Sequence, residues 1–164
     1  MQLSTVLMVD DNEIDIRLLR HAAETECHFQ VHSASTAEKA LAYLANHSEP
    51  DLVVLDCSVG MDEECNVLRR LLWETRLRSP IVLLSGYLRP QVQQTARAFG
   101  VPCFEKPMEL EGWYALAGEF ADLSRQSTTS EQRRCSQLSC LYSDEVRCRV
   151  PKCRCLVLGQ LAAG

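Results

Sequence analysis

Five residues of this sequence have the chemistry to handle a phosphoryl group: Asp10, Asp11, Asp56, Ser85 and Lys106. Asp10 and Asp11 follow Val6-Leu7-Met8-Val9, Asp56 follows Leu52-Val53-Val54-Leu55, and Ser85 follows Ile81-Val82-Leu83-Leu84. Lys106 stands just past Val101-Pro102-Cys103-Phe104. Three carboxylates brought together repel one another and raise each other's pKa unless a cation joins them. Hard oxygen ligands with open water positions suit Mg²⁺, which commonly takes one or two carboxylates plus phosphate oxygens. With a metal and an ammonium to neutralise an incoming phosphoryl group, a lone carboxylate attacks phosphorus and forms an aspartyl phosphate. Asp56 is the candidate nucleophile, and the Ser85 hydroxyl can donate to a phosphoryl oxygen.

The elements that must position these groups are legible from period and punctuation. Short apolar runs bounded by turn residues read as buried strands of a parallel sheet. Such runs lie at 5–9, 52–55, 81–84 and 101–104, and Phe29-Gln30-Val31-His32-Ser33 alternates like a less buried strand. Helical stripes fall between them. Asn12 can cap a helix with Ile14, Leu18, Leu19 and Ala22 on one side, and Ser35-Thr36-Ala37-Glu38 has the capping-box form ahead of Ala40, Leu41, Tyr43 and Leu44. Val67, Leu68, Leu71 and Leu72 (with Leu77) mark a third stripe. Pro90 opens a fourth helix that Gly100 stops, and a fifth covers about 109–125 with Trp113, Leu116, Ala117, Phe120 and Leu123. Five strand–helix units in strict alternation predict an α/β fold, a doubly wound parallel sheet with helices on both faces. Right-handed crossovers then place all strand C-termini on one edge, where the five residues would meet.

The 164 residues suit one domain, 1–125, plus an extension, 126–164, divided at the polar stretch Gln126-Ser127-Thr128-Thr129-Ser130-Glu131-Gln132. Residues 1–125 hold 11 Lys+Arg against 19 Asp+Glu, whereas the remainder holds 6 against 3. An acidic body argues against nucleic acid as its partner. No run approaches the ~20 apolar residues of a membrane span. The start, Met1-Gln2-Leu3-Ser4-Thr5, has no basic segment of a secretory signal, so the expected location is cytoplasmic.

The ordered set Val9-Asp10-Asp11-Asn12, Leu55-Asp56, Leu84-Ser85-Gly86 and Glu105-Lys106-Pro107 resembles the receiver (CheY-like) domain of two-component response regulators over residues 1–125. The resemblance implies a flavodoxin-like five-stranded sheet in order 2-1-3-4-5. It also implies roles: Asp56 as phosphoacceptor, Asp10 and Asp11 as Mg²⁺ ligands with a backbone carbonyl from Ser58, Lys106 as partner of the phosphate, and Ser85 as switch hydroxyl. The implied donor is a phosphohistidine on a sensor histidine kinase or a histidine phosphotransfer protein. The expected output is a stand-alone binding switch or phosphoryl shuttle, monomer or homodimer, acting on a downstream protein through a face bearing Val92, Ala96, Cys103 and parts of 109–120. No turnover of an external substrate is expected beyond self-phosphorylation and self-dephosphorylation.

The chain departs from the family pattern in two places. Gly60 and Glu64 stand where the family usually has a Pro and then a Gly after the phosphoacceptor, and Cys103 stands where the switch aromatic usually lies. Strand alternation sends the adjacent Phe104 to the opposite face. Ser58 and Tyr87 occupy positions that resemble the family's tuning sites for acyl-phosphate lifetime. Two other readings compete: a degenerate receiver serving as a phosphorylation-independent interaction module, and a phosphohydrolase with an Asp nucleophile. The latter normally needs a second aspartate two residues on, where this chain has Ser58.

Nine cysteines divide between body and extension. Cys27, Cys57, Cys65 and Cys103 read as small, reduced residues in or near the core. Cys135, Cys140, Cys148, Cys153 and Cys155 allow either a thiolate metal site or an irregular, disordered tail, since neither cysteine pair has C-x₂-C spacing. His21, His28, His32 and His47 share no ligand spacing and read as solvated side chains.

Overall fold

A computed structural model describes residues 4–59, 66–75 and 77–128. The expected loop positions Gly60 and Glu64, Cys65, and all five tail cysteines lie outside the described residues. The element order is β1 (Thr5–Val9), α1 (Glu13–Ala22), a π-helical turn (Ala23–Cys27), β2 (Gln30–Ala34), α2 (Ala37–Asn46), β3 (Leu52–Asp56), α3 (Asn66–Glu74), β4 (Ile81–Ser85), α4 (Pro90–Ala98), β5 (Cys103–Glu105) and α5 (Leu110–Thr128). The strands form one parallel sheet in the order β2-β1-β3-β4-β5. The doubly wound architecture expected from the sequence is the one observed.

Strand alternation divides the core. Val6, Met8, Leu52, Val54, Val82 and Leu84 pack with α1 and α5, notably Leu19, Trp113, Ala117 and Phe120. Leu7, Val9, Val53, Leu55, Ile81 and Leu83 pack with α2, α3 and α4. Each such Val or Leu contributes about 1.5–3 kcal/mol by leaving water. Because side chains alternate, Asp10, Asp56 and Lys106 continue the parity of Met8, Val54 and Phe104, and so face α1 and α5. Ser85 continues the parity of Leu83. Cys103 packs on that second face while Phe104 packs on the first, in an edge contact with Phe120 at 5.5 Å.

Local signals hold with small shifts. Asn12 caps α1 by accepting from the Ile14 N–H at 3.0 Å. The cap of α2 is Thr36, accepting from the Lys39 N–H at 3.2 Å, one residue later than the Ser35 capping box implied. Pro90 is at the first position of α4, and Gly100 ends it at φ 63 with its N–H on the Arg97 carbonyl. The π-helical turn after α1, closed by His28 at φ 53, had no signal in the apolar spacing. α5 continues to Thr128, three residues into the polar stretch. Ile14 is 67% exposed, because the stripe of α1 that meets the sheet is Ile16, Leu19 and Ala22. Among the described residues no helix is long and apolar enough to cross a membrane.

Candidate phosphoacceptor site

Ladder hydrogen bonds that overrun the strands set the backbone of the site. The Asp10 N–H donates to the Ala34 carbonyl at 3.0 Å, and the Lys106 N–H donates to the Ser85 carbonyl at 2.8 Å. Asp10, Asp56 and Lys106 are thereby carried to one edge. Asp10 and Asp56 are buried and Asp11 is exposed, and carboxylate oxygens from these three lie within 4.8 Å of one another.

Every oxygen of the two buried carboxylates has a defined surrounding. Asp10 Oδ1 accepts from the Asn12 N–H at 2.8 Å, and Asp10 Oδ2 accepts from Lys106 Nζ at 2.8 Å. Asp56 Oδ2 accepts from both the N–H and the hydroxyl of Ser58. Asp56 Oδ1 is buried with no hydrogen-bond donor, and faces Lys106 Nζ at 3.1 Å as an ion pair without hydrogen-bond alignment.

A fourth carboxylate, which the strand-end reading missed, completes the set. Asp15, in the first turn of α1, accepts from Lys106 Nζ at 2.8 Å and from Asn12 Nδ2 at 3.0 Å. Its signal was present: an acid one helical turn past Asn12 sits beside the strand tips, on the face that Asp10 parity selects.

Burial pushes the Asp10 carboxyl above its ordinary pKa, and the nearby charge of Asp56 adds to this against hydrogen bonds from Lys106 and Asn12. Burial alone would lower the Lys106 pKa. Hydrogen bonds to Asp10 and Asp15, with the charges of Asp56 and Asp10, overcome that and raise it.

With all four carboxylates ionised, one ammonium leaves a strong excess of negative charge. The donor set is all hard oxygen, and one buried carboxylate oxygen lacks a donor, so a divalent cation such as Mg²⁺ fits Asp10, Asp11 and Asp56. Ser85, buried at the tip of β4, is turned away: its hydroxyl donates to the Tyr87 carbonyl at 2.9 Å and accepts from the Tyr87 N–H at 3.4 Å. Ser58 is exposed, and its hydroxyl and N–H are both committed to Asp56.

The sequence profile of the response regulator receiver domain matches residues 6–115. The chain belongs to that family. Among solved structures it is similar to the phosphorylated cyanobacterial phytochrome response regulator RcpA, with 26% identity and a TM-score of 0.66. That match covers 79% of this chain and 98% of the other. A response regulator from Thermotoga maritima shares 23% identity at a TM-score of 0.61, over 74% of this chain and 99% of its own. The Mn²⁺-bound form of response regulator Rcp1 matches at 21% identity and a TM-score of 0.61, over 71% and 91% of the respective chains. No curated protein matches the chain by sequence. Family membership supports a phosphoacceptor role in two-component signalling, in a domain type that binds Mg²⁺ through an acidic pocket.

Proposed function

We propose that this receiver domain takes a phosphoryl group onto Asp56 from a phosphohistidine, on a sensor histidine kinase or a histidine phosphotransfer protein, and serves as a phosphorylation switch or shuttle. The supporting observation is Asp56 Oδ1: buried, bare of donors, 3.1 Å from the Lys106 ammonium and beside two further carboxylates. An oxygen without a hydrogen bond keeps its lone pairs for attack on phosphorus.

In this reading the Asp56 carboxylate forms a new O–P bond while the P–N bond to the donor imidazole breaks. With the other ring nitrogen of the donor protonated, the bonding pair stays on the imidazole nitrogen and the ring leaves as neutral imidazole. Lys106 follows the charge from the carboxylate to the phosphoryl oxygens. Mg²⁺, held by Asp10, Asp11, Asp56 and the Ser58 carbonyl, would supply further neutralisation of those oxygens. Ser85 would exchange the Tyr87 carbonyl for a phosphoryl oxygen as acceptor. Hydrolysis of the acyl phosphate resets the domain, so its chemistry is confined to its own carboxylate and no external substrate is turned over.

The test is intact-mass analysis after incubation with acetyl phosphate and Mg²⁺. One added phosphoryl group on Asp56, absent in Asp56→Asn and after chelation, supports the reading. No adduct points to a phosphorylation-independent interaction module, and repeated turnover of a phosphomonoester points to a hydrolase; either overturns it.

A further inference from the structure

Lys106 sits on the two oxygens that the metal needs. Asp10 Oδ1 and Asp56 Oδ2 are already bound to Asn12 and Ser58. The oxygens left over, Asp10 Oδ2 and Asp56 Oδ1, are the ones within 2.8 and 3.1 Å of the Lys106 ammonium. A cation entering among Asp10, Asp11 and Asp56 therefore competes with Lys106 for both. An ammonium displaced from buried carboxylates loses charge-assisted hydrogen bonds unless an acceptor stays within reach.

Asp15 is such an acceptor. It holds Lys106 Nζ at 2.8 Å, its side chain is 14% exposed, and it stands apart from the three carboxylates that cluster for a cation. Asn12 Nδ2 fixes the same Asp15 oxygen, and the first turn of α1 favours an anion there. We propose that Asp15 is a positioning residue that retains the Lys106 ammonium when a divalent cation takes Asp10 and Asp56, so that the lysine and the metal occupy the site together. Phosphorylation would then meet a lysine still at the pocket edge, ready to move onto the phosphoryl group. This inference rests on the Mg²⁺ site of the proposed function.

The experiment is calorimetric titration of Mg²⁺ alone into the full chain, for wild type, Asp15→Asn, Lys106→Met and the double variant. Asp15→Asn leaves Lys106 to Asp10 and Asp56, and is expected to weaken Mg²⁺ binding about fivefold or more. In the Lys106→Met background the Asp15→Asn effect should largely vanish, because the residue acts through the lysine. Asp15→Glu keeps the carboxylate and should retain most of the affinity, which gives a second readout if Asp15→Asn folds poorly. Equal affinity of Asp15→Asn and wild type overturns the inference and leaves the proposed function intact. So does an equal loss in both backgrounds, which would mark Asp15 as a source of field only. A wild type that takes up no Mg²⁺ overturns both.

Discussion

The Ser85 hydroxyl and the Tyr87 backbone are mutually bonded, donor to carbonyl at 2.9 Å and acceptor from the N–H at 3.4 Å. Moving that hydroxyl onto a phosphoryl group strips Tyr87 of two partners at once. Tyr87 is 70% exposed, and Cys103 provides no ring to relay the change across the sheet edge. The β4–α4 loop is therefore the expected first reporter of phosphorylation. In amide NMR spectra, beryllofluoride or acetyl phosphate should shift Tyr87 in the wild type. Ser85→Ala should still accept a phosphoryl group while the Tyr87 response is lost. A full Tyr87 shift in Ser85→Ala would break the link.

Gly112 is where the Lys106-Pro107 loop lies down on α5. A Cβ at this position would stand 2.6 Å from Pro107 Cβ and 3.2 Å from its Cγ, and a proline ring has no rotamer with which to retreat. Gly→Ala inside a helix ordinarily gains up to about 1 kcal/mol, but an overpacked contact costs about 1–3 kcal/mol. Gly112→Ala should accordingly lower the unfolding midpoint and slow phosphorylation, since Pro107 adjoins Lys106. Adding Pro107→Gly removes the clashing Cβ and should return part of the lost rate. An unchanged midpoint and rate in Gly112→Ala would show that the loop gives way freely.

Much of this site could be read from residue order because a parallel sheet converts sequence position into place. Apolar runs ending in Asp10, Asp56 and Ser85 fix which residues reach the edge, and parity fixes the face. Parity also separates Ser85 from the carboxylates, consistent with its hydroxyl being engaged by its own loop. Asp15 carries only a weak signal: its place one turn past Asn12 is local, but its contact with Lys106 spans 91 positions and depends on how α1 leans over the strand tips. Ile14 misled for a related reason: it fits a helical stripe, but the Asn12 cap sets the helix phase so that Ile16 and Leu19 face the sheet. The π-helical turn depends on packing against α5, which no local spacing encodes.

Asp10 is fully buried among like charges, and its ionised form is disfavoured by desolvation before any neighbour is counted. Asp10→Asn should therefore unfold at a higher temperature than wild type in chelator. The same substitution removes a metal ligand. Wild type at Mg²⁺ a hundredfold above its dissociation constant gains about 2.7 kcal/mol by mass action, and Asp10→Asn should lose most of that gain. Thermal melts with and without Mg²⁺ check both halves. A variant less stable than wild type in chelator would mean that the Lys106 pair outweighs the desolvation.

Arg70 joins α2 to α3 by pairing with Glu38 at 2.7 Å and Glu74 at 2.9 Å. The hydrogen bond from Arg70 holds the Glu38 carboxyl below its ordinary pKa of 4.5. A depressed acid contributes stability that is present above the unfolded-state value and lost as pH falls through the native one. Wild type should exceed Arg70→Met in denaturant unfolding at neutral pH, with the gap closing on acidification. Both side chains are solvent-facing, so the gap should be small and shrink in salt. A gap that widens in acid would contradict the pairing.

Two exposed apolar residues stand close in sequence to residues of the acidic pocket. Ile14 is 67% exposed beside Asp15, and Met108 is 98% exposed two residues past Lys106, while Asp15 and Lys106 are joined at 2.8 Å. Apolar side chains set around a charged centre are suited to a protein donor, which must close over the site and exclude water during transfer. A small donor such as acetyl phosphate makes no use of them. Ile14→Asp with Met108→Asp should slow transfer from a cognate phosphohistidine protein about tenfold or more, the loss associated with truncating an interface anchor. The acetyl phosphate rate should stay within about twofold of wild type. Stopped-flow or radiolabel transfer assays with both donors separate the cases: equal slowing would assign the two residues to the pocket, and no slowing with either would place protein docking elsewhere.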